Sequence, residues 1–212
     1  MGRNTGPKCR QCRREGMKLF LKGQRCFSSK CAVVDGNTPP GMHAWSRQRR
    51  SSYGMQLREK QRLKRIYGLF EAQFRHYFAN ALQEKGNTGL NLIQRVERRL
   101  DNVIRAAGFG YGPNSARQVV VHGHVFVNGK RCDRPSAAVS AGDVITITKN
   151  ERARKHVTAI VEATKAYVTS TPEWLEVNRD ALEIKVVQLP LREQFRPDIS
   201  INEQLIVEGC TK

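Results

Sequence analysis

Apolar positions recur at helical spacing through the middle of the chain. Phe70, Phe74, Tyr77, Phe78, Ala81 and Leu82 fall at steps of three and four, which places them on one helix face. This stripe reads as core, not as a platform for stacking bases. The GNTGL turn at 86–90 ends that helix. Ile93, Val96, Leu100, Val103, Ile104 and Ala107 then mark a second helix over about 91–107. Upstream, Ser51 or Ser52 can cap a helix over 53–66 that Gly68 ends. Its apolar edge is only Leu57, Leu63 and Ile66, so it buries little and needs a partner.

Past residue 108 the pattern changes. SARQVVVHG predicts a short helix and HVFVNGK alternates as a strand does. Asn128-Gly129 is a hairpin turn. A loop with Pro135 follows, and Gly142-Asp143 turns into a Val-Ile-Thr-Ile strand. A helix pair on a small antiparallel sheet results. Residues 152–165 form a further helix with Val157, Ile160 and Val161 inward. TSTPEWLEVN reads as a loop with Trp174 as packing anchor, and ALEIKVVQLP as a strand. Asn202 can cap a last short helix, although the Leu205-Ile206-Val207 run leaves a strand open there. The fold class is α+β.

Charge adds a partner to this outline. The 212 residues suit one large domain or two small ones. Lys and Arg number 37 against 19 Asp and Glu, a net charge of +18. Residues 1–65 hold 17 of the cations and 3 of the acids. Such a field fits a polyanion, because each neutralised phosphate releases condensed counterions. No run of 18 apolar residues occurs, and MGRNTGPKCRQC lacks the apolar core of a secretory leader. Gly6 stands where N-myristoylation wants Ser or Thr. The expectation is a soluble intracellular protein.

Four cysteines cluster in the basic arm. Cys9, Cys12, Cys26 and Cys31 read C-x2-C, thirteen residues, then C-x4-C. Two such knuckles can place four thiolates around one Zn2+. The LFLKG segment can make a small hairpin between them, and Arg10, Arg13, Arg14 and Arg25 offset the thiolate charge. An iron–sulfur cluster is the alternative. Disulfides suit an oxidising compartment, to which nothing in the sequence points. Either metal group is structural, because four protein ligands leave no open position. Cys132 and Cys210 read as small packing residues.

Further cations cluster at Arg47, Arg49 and Arg50, along the helix at Arg58, Lys60, Arg62, Lys64 and Arg65, and at Arg98 and Arg99. Their position beside other basic elements makes phosphate contact the better reading than a solvated face.

A resemblance then becomes specific. Ala116-Arg117-Gln118 through His122-Gly123-His124-Val125-x-Val127-Asn128-Gly129 resembles the RNA-binding module named after small-subunit ribosomal protein S-four. Further motifs resemble that ribosomal family in its bacterial type, in the family's order. They are the cysteine set, Pro39-Pro40-Gly41-x-His43, Arg58-Glu59-Lys60-Gln61, Arg65-Ile66-Tyr67-Gly68, Arg99-Leu100-Asp101-Asn102-Val103 and Asn202-Glu203-Gln204-Leu205. The cysteines are similar to the zinc-binding form.

The resemblance implies a mainly helical domain with an inserted small antiparallel-sheet module. Residues 1–45 would be the metal-binding segment and basic loop. Residues 46–97 would be the helical domain, completed by 198–212. Residues 98–197 would be the inserted domain, with the module at 98–165. It implies a primary binder of the five-way junction in the 5′ domain of small-subunit rRNA. Such a protein nucleates assembly, lies with proteins S-three and S-five where mRNA enters, and influences accuracy. The cytoplasm is the expected place, with an organellar ribosome as alternative. The implied RNA contacts add Arg3, Lys8, Arg10, Arg13, Arg117, His122, His124, Asn128, Lys130 and Arg131 to the clusters above.

Two departures from the family pattern matter. Pro113 sits where a basic residue is usual, but Pro suits the first helical position. Gly209-Cys210 replaces larger residues and predicts a looser last turn. The competing function is an RNA-modifying or tRNA-acting enzyme with the same module. Only about 60 residues follow the motif segment that ends near 148, too few for a catalytic domain, and no nucleophile, base and orienting group stand together. No catalytic residue is assigned.

Overall fold

Lys8 opens the first helix of a computed structural model that describes residues 4–36, 38–42, 51–167, 171–195, 199 and 201–211. The order runs α1 (Lys8–Glu15), α2 (Gln24–Phe27), α3 (Ser52–Ile66), α4 (Glu71–Gln83), α5 (Thr88–Glu97), α6 (Leu100–Ala106) and α7 (Pro113–Val121). Then come β1 (Val125–Val127), β2 (Lys130–Arg131), β3 (Val144–Ile147), α8 (Glu151–Lys165), β4 (Leu175–Asn178), β5 (Glu183–Val186) and α9 (Glu203–Thr211). The chain divides into two units, Met1–Ile93 with Arg196–Lys212, and Gln94–Phe195.

In the first unit, local chemistry sets the helix starts. The Ser51 hydroxyl accepts the Gly54 N–H at 3.1 Å, capping α3. Asn87 Oδ1 accepts from Gly89 at 2.9 Å and Leu90 at 3.3 Å at the start of α5. Asn202 Oδ1 accepts the Leu205 N–H at 3.2 Å in the first turn of α9. Leu63, Ile66, Phe74, Phe78 and Ala81 are buried, so the aromatic stripe is core as read. Phe70 and Leu82 are its exposed margins.

Three expectations fail here. Helix α3 was read as burying little, but it packs along α9, and Gln56 and Glu59 join Leu63 and Ile66 as buried positions. Gly209 does not loosen the last turn. A Cβ there would lie 2.8 Å from the Cβ of Gln56, so the missing side chain is what lets α9 close on α3. Between the cysteine pairs there is no hairpin. Residues 18–21 are irregular, with Leu19 and Leu21 buried, and a helical turn, α2, follows.

In the second unit, five antiparallel strands run in the order β2-β1-β3-β5-β4. Asn128 and Gly129, at φ 49° and 76°, make the predicted hairpin turn between β1 and β2. Helices α6, α7 and α8 cover one core with the sheet, containing Leu100, Ile104, Phe109, Val120, Ile145, Ile160, Trp174 and Ile184. Pro113 takes the first position of α7, as its fixed φ favours.

Two elements differ from the reading. The helix over 91–107 is two helices, α5 and α6. At the break Arg99 is extended, at φ −66° and ψ 135°, and bridges Ala138. Leu100 donates its N–H to Ala137 O at 2.8 Å, and Arg98 O accepts from Val139 at 2.9 Å. These long-range bonds outcompete helix continuation. TPEWLEVN, read as loop, contains β4, which exists because β5 lies beside it.

Candidate nucleic-acid interface

The cations of the sequence divide into those the protein uses internally and those it presents. All five cations of α3 make ion pairs. Arg58 and Arg65 both reach the Glu15 carboxylate, whose side chain is 1% exposed. Lys60 and Lys64 hold Glu71 at 2.9 and 2.7 Å, and Arg62 pairs with Glu59 at 2.5 Å. Three carboxylates thus set the positions of five cations, and the helix retains an excess of positive charge. Phosphate is not the partner this helix needs in order to fold.

Glu71 registers that pairing. The hydrogen bond from Lys64 first, with Lys60 beside it, holds the carboxyl down to about 2 against the opposing effect of burial. Lys60 also lies 5.9 Å from the centre of the Phe74 ring.

Four predicted contacts in the second unit make internal hydrogen bonds. Arg99 is 1% exposed and donates to both Asp101 oxygens, at 3.1 and 2.8 Å. A guanidinium so enclosed does not reach RNA. Arg117 turns to the same carboxylate at 3.3 Å. Asn128 donates to Asp143 at 2.8 Å and accepts from Val144 N–H at 2.9 Å, so its amide locks the hairpin to the next turn. Arg98 is half-buried and binds Val139 O at 2.7 Å through Nε.

The presented groups sit at the turn after α7 and on β2. Lys130 and Arg131 are exposed on β2, an edge strand. The imidazoles of His122 and His124 meet edge to face, 5.8 Å apart. Burial first, then His122, His156 and Arg131, push the His124 imidazole below its usual value, so it is neutral near pH 7. Gly123 between them has φ +70° and lies under the Arg131 guanidinium. A Cβ at 123 would collide with the Arg131 guanidinium. Glycine there both permits the turn and seats the arginine.

The four cysteines of the N-terminal segment are electrostatic neighbours. Cys12, Cys26 and Cys31 are buried and Cys9 is half-buried. Burial pushes the Cys12 and Cys26 thiols up, and charge on the neighbouring cysteines pushes them the same way. Backbone N–H groups oppose this: Leu19 donates to Cys12, and Lys22 to Cys26 Sγ at 3.4 Å. Amide donors onto sulfur and a four-sulfur donor set fit a thiolate-bound ion. As they stand, no three His, Cys, Asp or Glu groups among the described residues are close enough together to hold one.

Arg13, four residues after Cys9, donates to Thr38 O at 2.8 Å and Thr38 Oγ1 at 3.3 Å, tying down the loop before Pro40. Lys8 Nζ donates to Asn4 O at 2.6 Å. Arg10 remains exposed. Arg14 and Gln11 join it along a cleft lined also by Arg65 and Pro40. Sequence reasoning assigned Arg14 only to charge balance. Its spacing of four from Arg10 was the signal that the two share a face. Arg3, Arg47, Arg49 and Arg50, and His43 of the proline-glycine motif, lie outside the described residues.

Residues 3–97 match the family described as ribosomal protein S4/S9 N-terminal domain, and residues 98–145 match the S4 domain. A small ribosomal subunit protein uS4 of Clostridium botulinum is 51% identical over 212 residues, covering all of both chains. Those of Thermoanaerobacter pseudethanolicus and Solibacter usitatus are each 49% identical with the same full coverage. No helix among the described residues is long and apolar enough to cross a membrane.

Proposed function

The chain belongs to the ribosomal protein S4 family, and from that premise we propose the way it grips RNA. It is a structural protein of the small ribosomal subunit that binds rRNA, and it is not an enzyme. The observation that carries the mechanism is the split among its cations. Buried and half-buried ones build the scaffold through Glu15, Glu59, Glu71 and Asp101. Arg10, Lys130, Arg131 and the His122–His124 turn are left facing outward. Rigidly placed cations of this kind recognise the backbone geometry of folded RNA and not a base sequence.

On this reading the protein is a primary binder of the 5′ domain of small-subunit rRNA, at its five-way junction, and nucleates assembly there. Its neighbours are S-five and S-three where mRNA enters, and through them it influences accuracy. Its place is the cytoplasmic small subunit. Cys9, Cys12, Cys26 and Cys31 would hold one Zn2+, with an iron–sulfur cluster as the alternative. Bound there, the metal would staple α1 to α2 and take no part in chemistry.

Sedimentation of tagged protein with ribosomal subunits tests the assignment. The expected result is one copy per small subunit that survives a high-salt wash, and binding to isolated 5′-domain rRNA without other proteins. Protein that washes off completely, or that modifies the RNA, overturns it in favour of an RNA-acting enzyme carrying the same module.

A further inference from the structure

A cleft of about 480 Å3 opens in the first unit along α1. Arg10, Gln11 and Arg14 line it from that helix, and Arg65 of α3 lines it from the side. Positions four apart share a helix face, so Arg10 and Arg14 point the same way and repel each other. Both are exposed, and neither has a carboxylate partner among the described residues. Arg65 adds a third guanidinium, fixed from behind by the buried Glu15 carboxylate. Cys9 and Cys12 occupy the opposite side of α1, so the thiol cluster and the cleft do not compete for it.

The lining is more than a charged patch. Asn4 and Gln11 bring two carboxamides; Asn4 Oδ1 already accepts the Gly6 N–H at 2.9 Å, which leaves its amide N–H groups as donors. Pro7 and Pro40 supply apolar walls. Arg13 holds the Pro40 wall in place through Thr38. The volume lies within the roughly 300–1,000 Å3 range of clefts that enclose a small organic group, and it exceeds what one carboxylate side chain needs.

We propose that this cleft receives a single extruded nucleotide of the bound RNA. Its phosphate sits among Arg10, Arg14 and Arg65, whose forked donors suit phosphate oxygens. Its base lies between the proline walls with its polar edge on Asn4 and Gln11. Bases in a duplex are hidden from such a cleft, whereas bulged and loop bases swing out and are read on their edges. An acidic protein segment would leave the carboxamides and the proline walls without matched partners. The inference rests on the RNA-binding reading and adds a point of base-level contact to a protein that otherwise reads shape.

The test uses the full chain and 5′-domain rRNA. Benzoylphenylalanine in place of Gln11 should cross-link to one nucleotide. An RNA made abasic at that nucleotide should bind the unaltered chain about tenfold more weakly. Gln11→Ala should cost a similar factor on intact RNA, leave the salt slope unchanged, and add nothing on the abasic RNA. Arg14→Gln should lower the salt slope by about one, and Arg14→Lys should restore the slope without restoring full affinity. Lys149→Gln serves as a like-charge control, and helical circular dichroism verifies each fold. Cross-links scattered over many nucleotides, cross-links only to another protein, or an abasic RNA that binds as well as the intact one overturn the cleft. In each of these cases binding by the unaltered chain leaves the RNA reading standing. Failure of the unaltered chain to bind rRNA at all overturns both.

Discussion

Arg99 donates from Nε and Nη2 to the two oxygens of Asp101, at 3.1 and 2.8 Å, with the arginine 1% exposed. The pair stands at the break between α5 and α6, where Arg117 supplies a second cation to the same carboxylate. Removing one member of a buried pair leaves a charge with poor solvation. Arg99→Ala is therefore expected to destabilise the second unit by about 3–5 kcal/mol. Arg99→Lys keeps the charge but loses the fork, and should fall between. Urea unfolding followed by Trp174 fluorescence in a Trp45→Phe background measures this. A variant of normal stability whose RNA salt slope has dropped would place Arg99 on the RNA instead.

That pair also marks where sequence reading stopped. Features set by neighbours in the chain were legible: the Ser51 and Asn202 caps, Pro113 at a helix start, and the Asn128-Gly129 turn. Features set by distant partners were not. The periodicity of 91–107 runs unbroken through Arg99, and only Ala137, Ala138 and Val139 stop the helix. Leu175–Asn178 becomes a strand through β5. The α3 cations read as phosphate ligands because Glu15 and Glu71 are far off in the chain or on another helix. The cleft was illegible for the same reason, since Arg14, Pro40 and Arg65 come from three segments.

Glu71 gives the first unit a pH dependence of known sign. Its carboxyl is held near 2 by Lys64 and Lys60, below the ordinary value of 4.5. The ionised form therefore stabilises the fold at neutral pH. That contribution fades as the pH falls from 4.5 toward 2, where the folded state protonates as well. The side chain is 37% exposed, so solvent screening reduces the effect to about 1 kcal/mol. Glu71→Gln should be less stable than the parent at pH 7 and equal to it near pH 2. Thermal unfolding of both across that range provides the comparison, and a constant gap at all pH values would refute the pairing as its cause.

Gly123 is expected to act on RNA through Arg131. Alanine at 123 meets φ +70° and the Arg131 guanidinium at once. The first costs about 1 kcal/mol of stability, and the second drives the arginine from its seat. Gly123→Ala should therefore weaken rRNA binding while leaving total charge unchanged. Arg131→Gln alone should reduce the salt slope by about one. If Arg131 acts from its seat on Gly123, the double variant should bind no worse than Arg131→Gln. Additive losses would mean that the glycine serves only the turn.

The cysteine set carries the last expectation. Purified chain should contain one zinc, and Cys12→Ser or Cys26→Ser should lose it. Iron with visible absorbance would replace zinc by a cluster. The core of the first unit lies in α3, α4 and α9, around Leu63, Ile66, Phe74 and Ile206, and none of these is a metal ligand. Metal removal should therefore not unfold the unit, in contrast to small zinc fingers whose fold is the metal site. Hydrogen exchange should quicken over residues 8–31, including the Lys22 amide that donates to Cys26, and remain slow in α3 and α9. RNA affinity should fall with it, because α1 orients Arg10 and Arg14. Stripped protein that keeps slow exchange in α1 would show that burial of Leu19 and Leu21 holds this segment without an ion.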